Sequence, residues 1–246
     1  MSFQMSPASA LHSVPPRKLA EALEYTVKSC LECSKNSNAK LDRNLCKTCQ
    51  IKNVALMRYA EANIPAKYWD LEMDKSFQGD VILMEKYQEI TKDLRDSYNK
   101  GIAYCFAGSH GLGKTYLCCN ILKRAKEKGY SALYCNLNDI ISVMVHGSSE
   151  DKFPIRKLLL TCDFLVIDEF DPRFYTNEKS AELFGKILED VFRNRSQNGL
   201  PILMCTNSPN VIEGFSGAIK QSISSLMNCV TTIPVLGKDF RKEMKK

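Results

Sequence analysis

Two stretches of the chain carry residue types and spacings suited to phosphate chemistry. Gly108, Ser109, His110, Gly111, Leu112, Gly113, Lys114 and Thr115 match G-x-x-x-x-G-K-[ST] in full. Glycines at those spacings let the backbone curl until several amide N–H groups face one anion. Residues 108–116, Tyr116 included, are expected to surround the phosphates of ATP. Lys114 would bridge the β- and γ-phosphates, and the Thr115 hydroxyl would coordinate Mg²⁺. Further along, the apolar run Phe164-Leu-Val-Ile167 leads into Asp168 and Glu169. Asp168 is expected to hold Mg²⁺, directly or through water. Glu169 is expected to polarise the attacking water as general base. A second apolar run, Ile202-Leu-Met-Cys-Thr206, ends at Asn207. The Asn207 amide suits a hydrogen bond to the γ-phosphate or the lytic water, and Asn207-Ser-Pro209 suits a plain turn equally well.

A second chemistry is written near the N-terminus. Cys30 and Cys33 form one C-x₂-C pair, and Cys46 and Cys49 form another. Each pair can grip one side of a tetrahedral Zn²⁺, with the intervening loop closing the site. That loop, Ser34-Lys-Asn-Ser-Asn-Ala-Lys-Leu-Asp-Arg-Asn-Leu45, has too little apolar content to fold without a metal to organise it. Redox-active thiols are the alternative reading of the same pattern. The other seven cysteines (105, 118, 119, 135, 162, 205 and 229) are scattered, several of them in apolar runs. There a free thiol behaves as a small buried hydrophobe.

The elements that must position these residues follow from periodicity and punctuation. Residues 1–16 are Ser/Pro/Ala-rich and read as disordered. Apolar residues recurring four apart predict a short amphipathic helix over 17–28, and another helix is expected over 51–60. Pro65 should interrupt it, which puts a boundary near here. The pattern then predicts a helix over 80–98, a strand over 102–107, and a helix over 114–128. A strand over 131–135, helices over 138–145 and 154–161, and a strand over 164–167 come next. A helix over 178–195 and strands over 201–205 and 230–235 complete the set. Strands alternating with helices predict an α/β fold, a parallel five-stranded sheet covered on both faces. The expected divisions are a zinc-binding module over 1–60, a linker over 61–80 and an ATPase domain over 81–246.

Composition narrows the setting. In the 246 residues, 44% hydrophobic and 25% charged content is ordinary for a globular chain. No apolar run approaches the roughly 18 residues of a membrane span. The N-terminus lacks the apolar centre of a secretory signal, so a cytoplasmic setting is expected. Net charge is +6, and the first 58 residues hold nine Lys/Arg against four Asp/Glu. That excess permits nucleic-acid contact without demanding it.

In this order and spacing, the phosphate loop, acidic strand and Asn207 strand resemble an AAA+ ATPase with its three-layer sandwich. The likeness narrows to the DnaC/DnaI helicase loaders. It rests on Ala62-Asn-Ile-Pro-Ala-Lys-Tyr68, on Tyr134-Cys-Asn-Leu-Asn-Asp-Ile-Ile-Ser-Val-Met144, on Leu158-Leu-Leu-Thr-Cys-Asp-Phe-Leu-Val-Ile-Asp-Glu169 and on Leu203-Met-Cys-Thr-Asn-Ser208. IstB-type transposition helpers share the combination. The resemblance covers roughly residues 60–235. It implies an ATPase that binds single-stranded DNA, forms a homo-oligomer, and delivers a hexameric replicative helicase through its N-terminal module in a bacterium or phage-infected cell. Segment 137–161 would lie near the DNA path. The zinc module would grip the helicase or, as the competing role, DNA. A transposition helper or a weakly hydrolysing ATP-binding adaptor are the alternatives. The chain departs from the family over Ser216–Leu226, where Lys220 is the only basic residue. The family places an arginine finger there, a group worth several orders of magnitude in rate. Weak ATPase activity alone is therefore expected, with Arg193 or Arg195 as substitutes.

Overall fold

Alternation along each strand decides which side chains meet which covering layer. The structure, a computed structural model, describes residues 47–74, 77–171, 178–212, 217–237 and 239. In chain order the elements are α1 (Lys47–Glu61), a 3-10 turn (Ala66–Tyr68), α2 (Val81–Lys92), α3 (Leu94–Asn99), β1 (Ala103–Ala107), α4 (Lys114–Glu127) and β2 (Ala132–Asn136). Then come α5 (Leu137–Ile141), continuing into a π turn (Ser142–His146), α6 (Ser149–Thr161), β3 (Phe164–Asp168), α7 (Glu178–Gln197), β4 (Ile202–Thr206), α8 (Gly217–Met227) and β5 (Thr231–Pro234). The five strands form one parallel sheet in the order β2-β3-β4-β1-β5.

The sheet separates two apolar cores. Phe106, Tyr134, Phe164, Val166, Leu203 and Cys205 face α1, α2 and α4. Cys105, Leu133, Cys135, Leu165, Ile167 and Met204 face the opposite layer of α5 to α8. This is the expected three-layer α/β sandwich. The cysteines at 105, 118, 119, 135, 162 and 205 are buried in these cores as free thiols, and Cys229 is exposed.

Two expectations about helices are corrected. The helix predicted over 80–98 breaks at Asp93, whose backbone is extended (φ −141, ψ 89). The Asp93 carboxylate accepts the Asp96 amide at 2.9 Å and caps a new helix. A short acid bonding to nearby backbone competes with helix continuation. The helix expected to begin at Pro154 begins at Ser149, because Ser148 and Asp151 form a reciprocal capping box. Pro154 lies inside the helix.

The segment expected as a linker is packed into the first core. Ala62, Ile64, Trp69 and Met73 are buried there, beside Leu56 and Tyr59 of α1 and residues of α2 and α4. Lys123 of α4 is the clasp. Its side chain is 1% exposed and pairs with Glu72 at 3.0 Å. The same ammonium donates to the carbonyls of Leu71 at 2.7 Å and Tyr68 at 3.3 Å. A buried charge held this way keeps its hydrogen bonds and avoids most of the cost of leaving water. The predicted helix over 17–28, the first 16 residues and the basic C-terminal tail lie outside the described residues, apart from Asp239. Among the described residues, no helix is long and apolar enough to cross a membrane.

Candidate active site

The parallel sheet ends its strands along one edge, and the crevice outside that edge is where such folds bind ligands. β1 feeds the phosphate loop and α4 leaves it. Gly111 and Gly113 both take left-handed backbone (φ 80 and 93), which glycine adopts without a Cβ clash. The chain following β5 crosses close behind the loop. A Cβ on Gly108 would lie 2.2 Å from the Val235 carbonyl oxygen, and one on Gly111 would lie 1.9 Å from an Asp239 carboxylate oxygen.

Lys114 is buried at the first turn of α4. Its ammonium donates to the carbonyls of Gly108 and Ser109, each at 2.7 Å, and to Asn207 Oδ1 at 3.1 Å. The structure thus places Asn207, at the end of β4, directly against the phosphate-loop lysine. Asp168 closes β3 and is 6% exposed. One carboxylate oxygen accepts the Tyr134 hydroxyl at 2.7 Å, and the other accepts the Glu169 amide at 2.8 Å. Burial, then the Asp168 charge, pushes the Tyr134 phenol far above its ordinary value, so it stays a proton donor. Tyr68 of the 3-10 turn lines the same cavity as Thr115.

Glu169 has left-handed backbone (φ 52), uncommon for a residue with a side chain. Its carboxylate accepts Asn136 Nδ2 at 2.5 Å. The register explains the pairing, since Asn136 of β2 stands opposite Asp168 of β3. A carboxylate tied down by a neighbouring amide is less free to orient water. Asn136 also caps α5 by accepting the Asn138 amide at 2.9 Å. Asn136→Ser keeps a capping oxygen but is too short to reach Glu169. It should raise basal ATP turnover roughly five- to tenfold, about 1 kcal/mol, the net worth of one ordinary hydrogen bond. A phosphate-release assay at saturating ATP and Mg²⁺ checks this, and unchanged or slower turnover counts against a restraining role.

Lys114, Tyr134, Asp168, Glu169 and Asn207 line one cavity of about 950 Å³, together with residues of the 67–78 segment, while Gly108, Ser109 and Asn136 lie outside its lining. The volume lies in the range of ligand sites (roughly 300–1,000 Å³). His110, Gly111, Leu112, Gly113, Lys114, Thr115, Tyr116, Asp168, Glu169 and Asn207 all line it. Tyr116 stacks on Phe77 with ring centres 5.5 Å apart, and its hydroxyl donates to the Glu72 carbonyl. This apolar wall beside an anion-binding loop suits a nucleotide, with the base against the rings and the phosphates at the loop. Thr115 and Asp168, both in the cavity, offer the hard oxygen atoms that Mg²⁺ takes.

Sequence reasoning missed Tyr68, Phe77, Tyr134 and Asn136. For two of these a signal was present. Tyr134 and Asn136 alternate at the end of a strand and so share one face.

The candidate substitutes for an arginine finger fare differently. Arg195 is corrected. It is 0% exposed, and it donates to the carbonyls of Cys162 at 2.9 Å, Leu159 at 3.0 Å, Asp163 at 3.2 Å and Pro201 at 2.5 Å. A guanidinium enclosed by its own chain has no reach toward a neighbouring subunit. Arg193 is mostly exposed and pairs with Glu189, and Lys220 is exposed on α8. Cys30, Cys33 and Cys46 lie outside the described residues, as does the side chain of Cys49. Among the described residues, no group of three or more His, Cys, Asp or Glu could hold a metal ion.

No protein-family model and no curated protein matches the chain. Solved structures do. A DnaI structure aligns with TM-score 0.56 at 15% identity, over 72% of this chain and 93% of that one. The DnaC helicase loader aligns with TM-score 0.54 at 16% identity, over 70% of this chain and all of that one. The replication initiator DnaA bound to AMPPCP and single-stranded DNA aligns with TM-score 0.55 at 17% identity, over 74% of this chain. The chain spans only about half the length of the initiator chains it matches, 53% and 56% for two of them. At these identities the likeness is one of fold, and this chain shares the fold of these DnaI, DnaC and DnaA structures.

Proposed function

We propose that this chain is an ATP-dependent loader of a replicative DNA helicase, acting in the cytoplasm of a bacterium or phage-infected cell. The observation that carries the ATP reading is the convergence of Lys114, Asn207, Asp168 and Glu169 on one cavity behind a complete phosphate loop. When bound, Mg²⁺ would neutralise phosphate charge between Thr115 and Asp168. Lys114 and the loop amides hold the phosphates, Asn207 orients Lys114 and the terminal phosphate, and Glu169 takes the proton of the attacking water. Hydrolysis by the isolated chain is weak, because Asn136 engages Glu169 and Lys220 is the only basic residue over Ser216–Leu226, where the resemblance implies an arginine finger. The nucleotide then works mainly as an assembly switch for a homo-oligomer.

The loader reading draws on the fold shared with DnaI and DnaC and on the resemblance of the 62–68 and 134–169 segments. Single-stranded DNA is assigned to segment 137–161. The cysteine pairs hold Zn²⁺ in an N-terminal module that grips the helicase. The deciding experiment is capture of the purified hexameric helicase from the same organism, with and without ATP. Intact protein should capture it, and Cys30→Ser/Cys33→Ser should not. Absence of capture under every condition moves the reading to an IstB-like transposition helper or an ATP-binding adaptor. Capture that ignores the cysteine changes leaves the loader and reassigns the zinc module to DNA.

A further inference from the structure

We infer that Tyr134 is a positioning residue for the cation site, and that its hydroxyl holds the Asp168 carboxylate ready for Mg²⁺ without neutralising it. This rests on the nucleotide reading above.

The bland account of Tyr134 is a core residue on an edge strand. Its ring does pack in the first core, and phenylalanine would fill that space equally well. The hydroxyl adds one thing, the 2.7 Å bond to Asp168, in a cavity that Tyr134 itself lines. Asp168 is nearly buried, and an ionised carboxylate there needs donors. A lysine or arginine would supply them at the cost of cancelling the charge and repelling a cation. A phenol supplies a donor and no charge. Its partner on the second carboxylate oxygen, the Glu169 amide, is neutral as well. A carboxylate has about four lone-pair sites, so two such bonds fix its rotamer and leave room for a metal or its waters.

The backbone of Tyr134 is held from outside the sheet. Its amide donates to the Ala62 carbonyl at 2.8 Å, and its carbonyl accepts Asn63 Nδ2 at 2.8 Å. β2 is an edge strand, and these bonds occupy its free side at this residue. The segment leading out of α1 therefore fixes the strand residue that fixes the metal-binding acid.

The test is Tyr134→Phe, read by Mg²⁺ titration of fluorescent ATP binding. Hydrogen-bond partners of metal ligands are typically worth about 10- to 100-fold in metal affinity. The half-saturating Mg²⁺ concentration should rise about tenfold or more, while ATP affinity in EDTA stays unchanged. In an Asp168→Asn background the same change should add nothing further, a result that a merely structural role would not give. A Mg²⁺ requirement within twofold of wild type, or a loss that simply adds to that of Asp168→Asn, overturns the inference alone. Failure of the wild-type chain to show any Mg²⁺-dependent ATP binding overturns the nucleotide reading itself.

Discussion

Glu169→Gln should slow ATP hydrolysis by about 10²- to 10⁴-fold, the usual worth of a positioned general base, while ATP binds as tightly as before. The separation follows from geometry. The groups proposed to hold the phosphates, Lys114 and the loop amides, belong to α4 and to the turn between β1 and α4. Glu169 stands past the end of β3 and touches Asn136 rather than the loop. Glutamine keeps the size and can still accept the Asn136 amide, so the local fold should survive. Single-turnover hydrolysis under saturating Mg²⁺ gives the rate, and equilibrium binding gives the affinity. Turnover within threefold of wild type would exclude Glu169 as the base.

Arg195→Met should lower stability by about 3–5 kcal/mol, since several buried carbonyls lose a donor at about 1–3 kcal/mol each. For a chain of this size that is a fall of roughly 10 °C in Tm. Four backbone carbonyls converge on this guanidinium. They come from the C-terminal end of α6, the turn into β3, and the residue before β4. Methionine fills much of the volume and leaves those carbonyls without their donor. Nucleotide affinity at a temperature where the variant is folded should change little, since Arg195 does not line the cavity. Thermal melting with and without ATP checks both parts. A variant that melts like wild type but loses hydrolysis only in the assembled oligomer would restore Arg195 as a finger. The two variants thus separate chemistry from architecture, one losing rate without stability and the other stability without rate.

How much was legible beforehand depended on distance along the chain. The phosphate loop, the acidic strand and the alternation of strands with helices are local patterns. Glycine spacing, apolar runs and helix caps act within a few residues, so a linear reading reaches them. That is why the parallel five-stranded sheet and the residues at its strand ends could be named from sequence. The two helix errors were local as well. At Asp93 and at Ser148 a short polar side chain bonded to nearby backbone, and apolar period and proline position gave no sight of it.

What tertiary structure alone decided is the company those residues keep. Strand order and parallel register set Asn136 opposite Asp168 and brought Asn207 to Lys114 across 93 positions of sequence. Nothing in the spacing of either residue encodes that meeting. It arises because each strand's pairing is fixed by how both faces of the sheet bury their apolar side chains. Arg195 shows the same limit from the other side. As a basic residue near a helix end it reads as exposed and available, and only the convergence of four distant carbonyls makes it a buried clasp. The segment over 61–80 read as a linker because proline interrupts it. Lys123 and Glu72, far apart in sequence, bind it to the core beside the sheet. By itself the sequence determined the chemical groups and the elements that carry them. Packing decided which groups touch, because contact between distant residues is a property of the whole buried core and of no single stretch of chain.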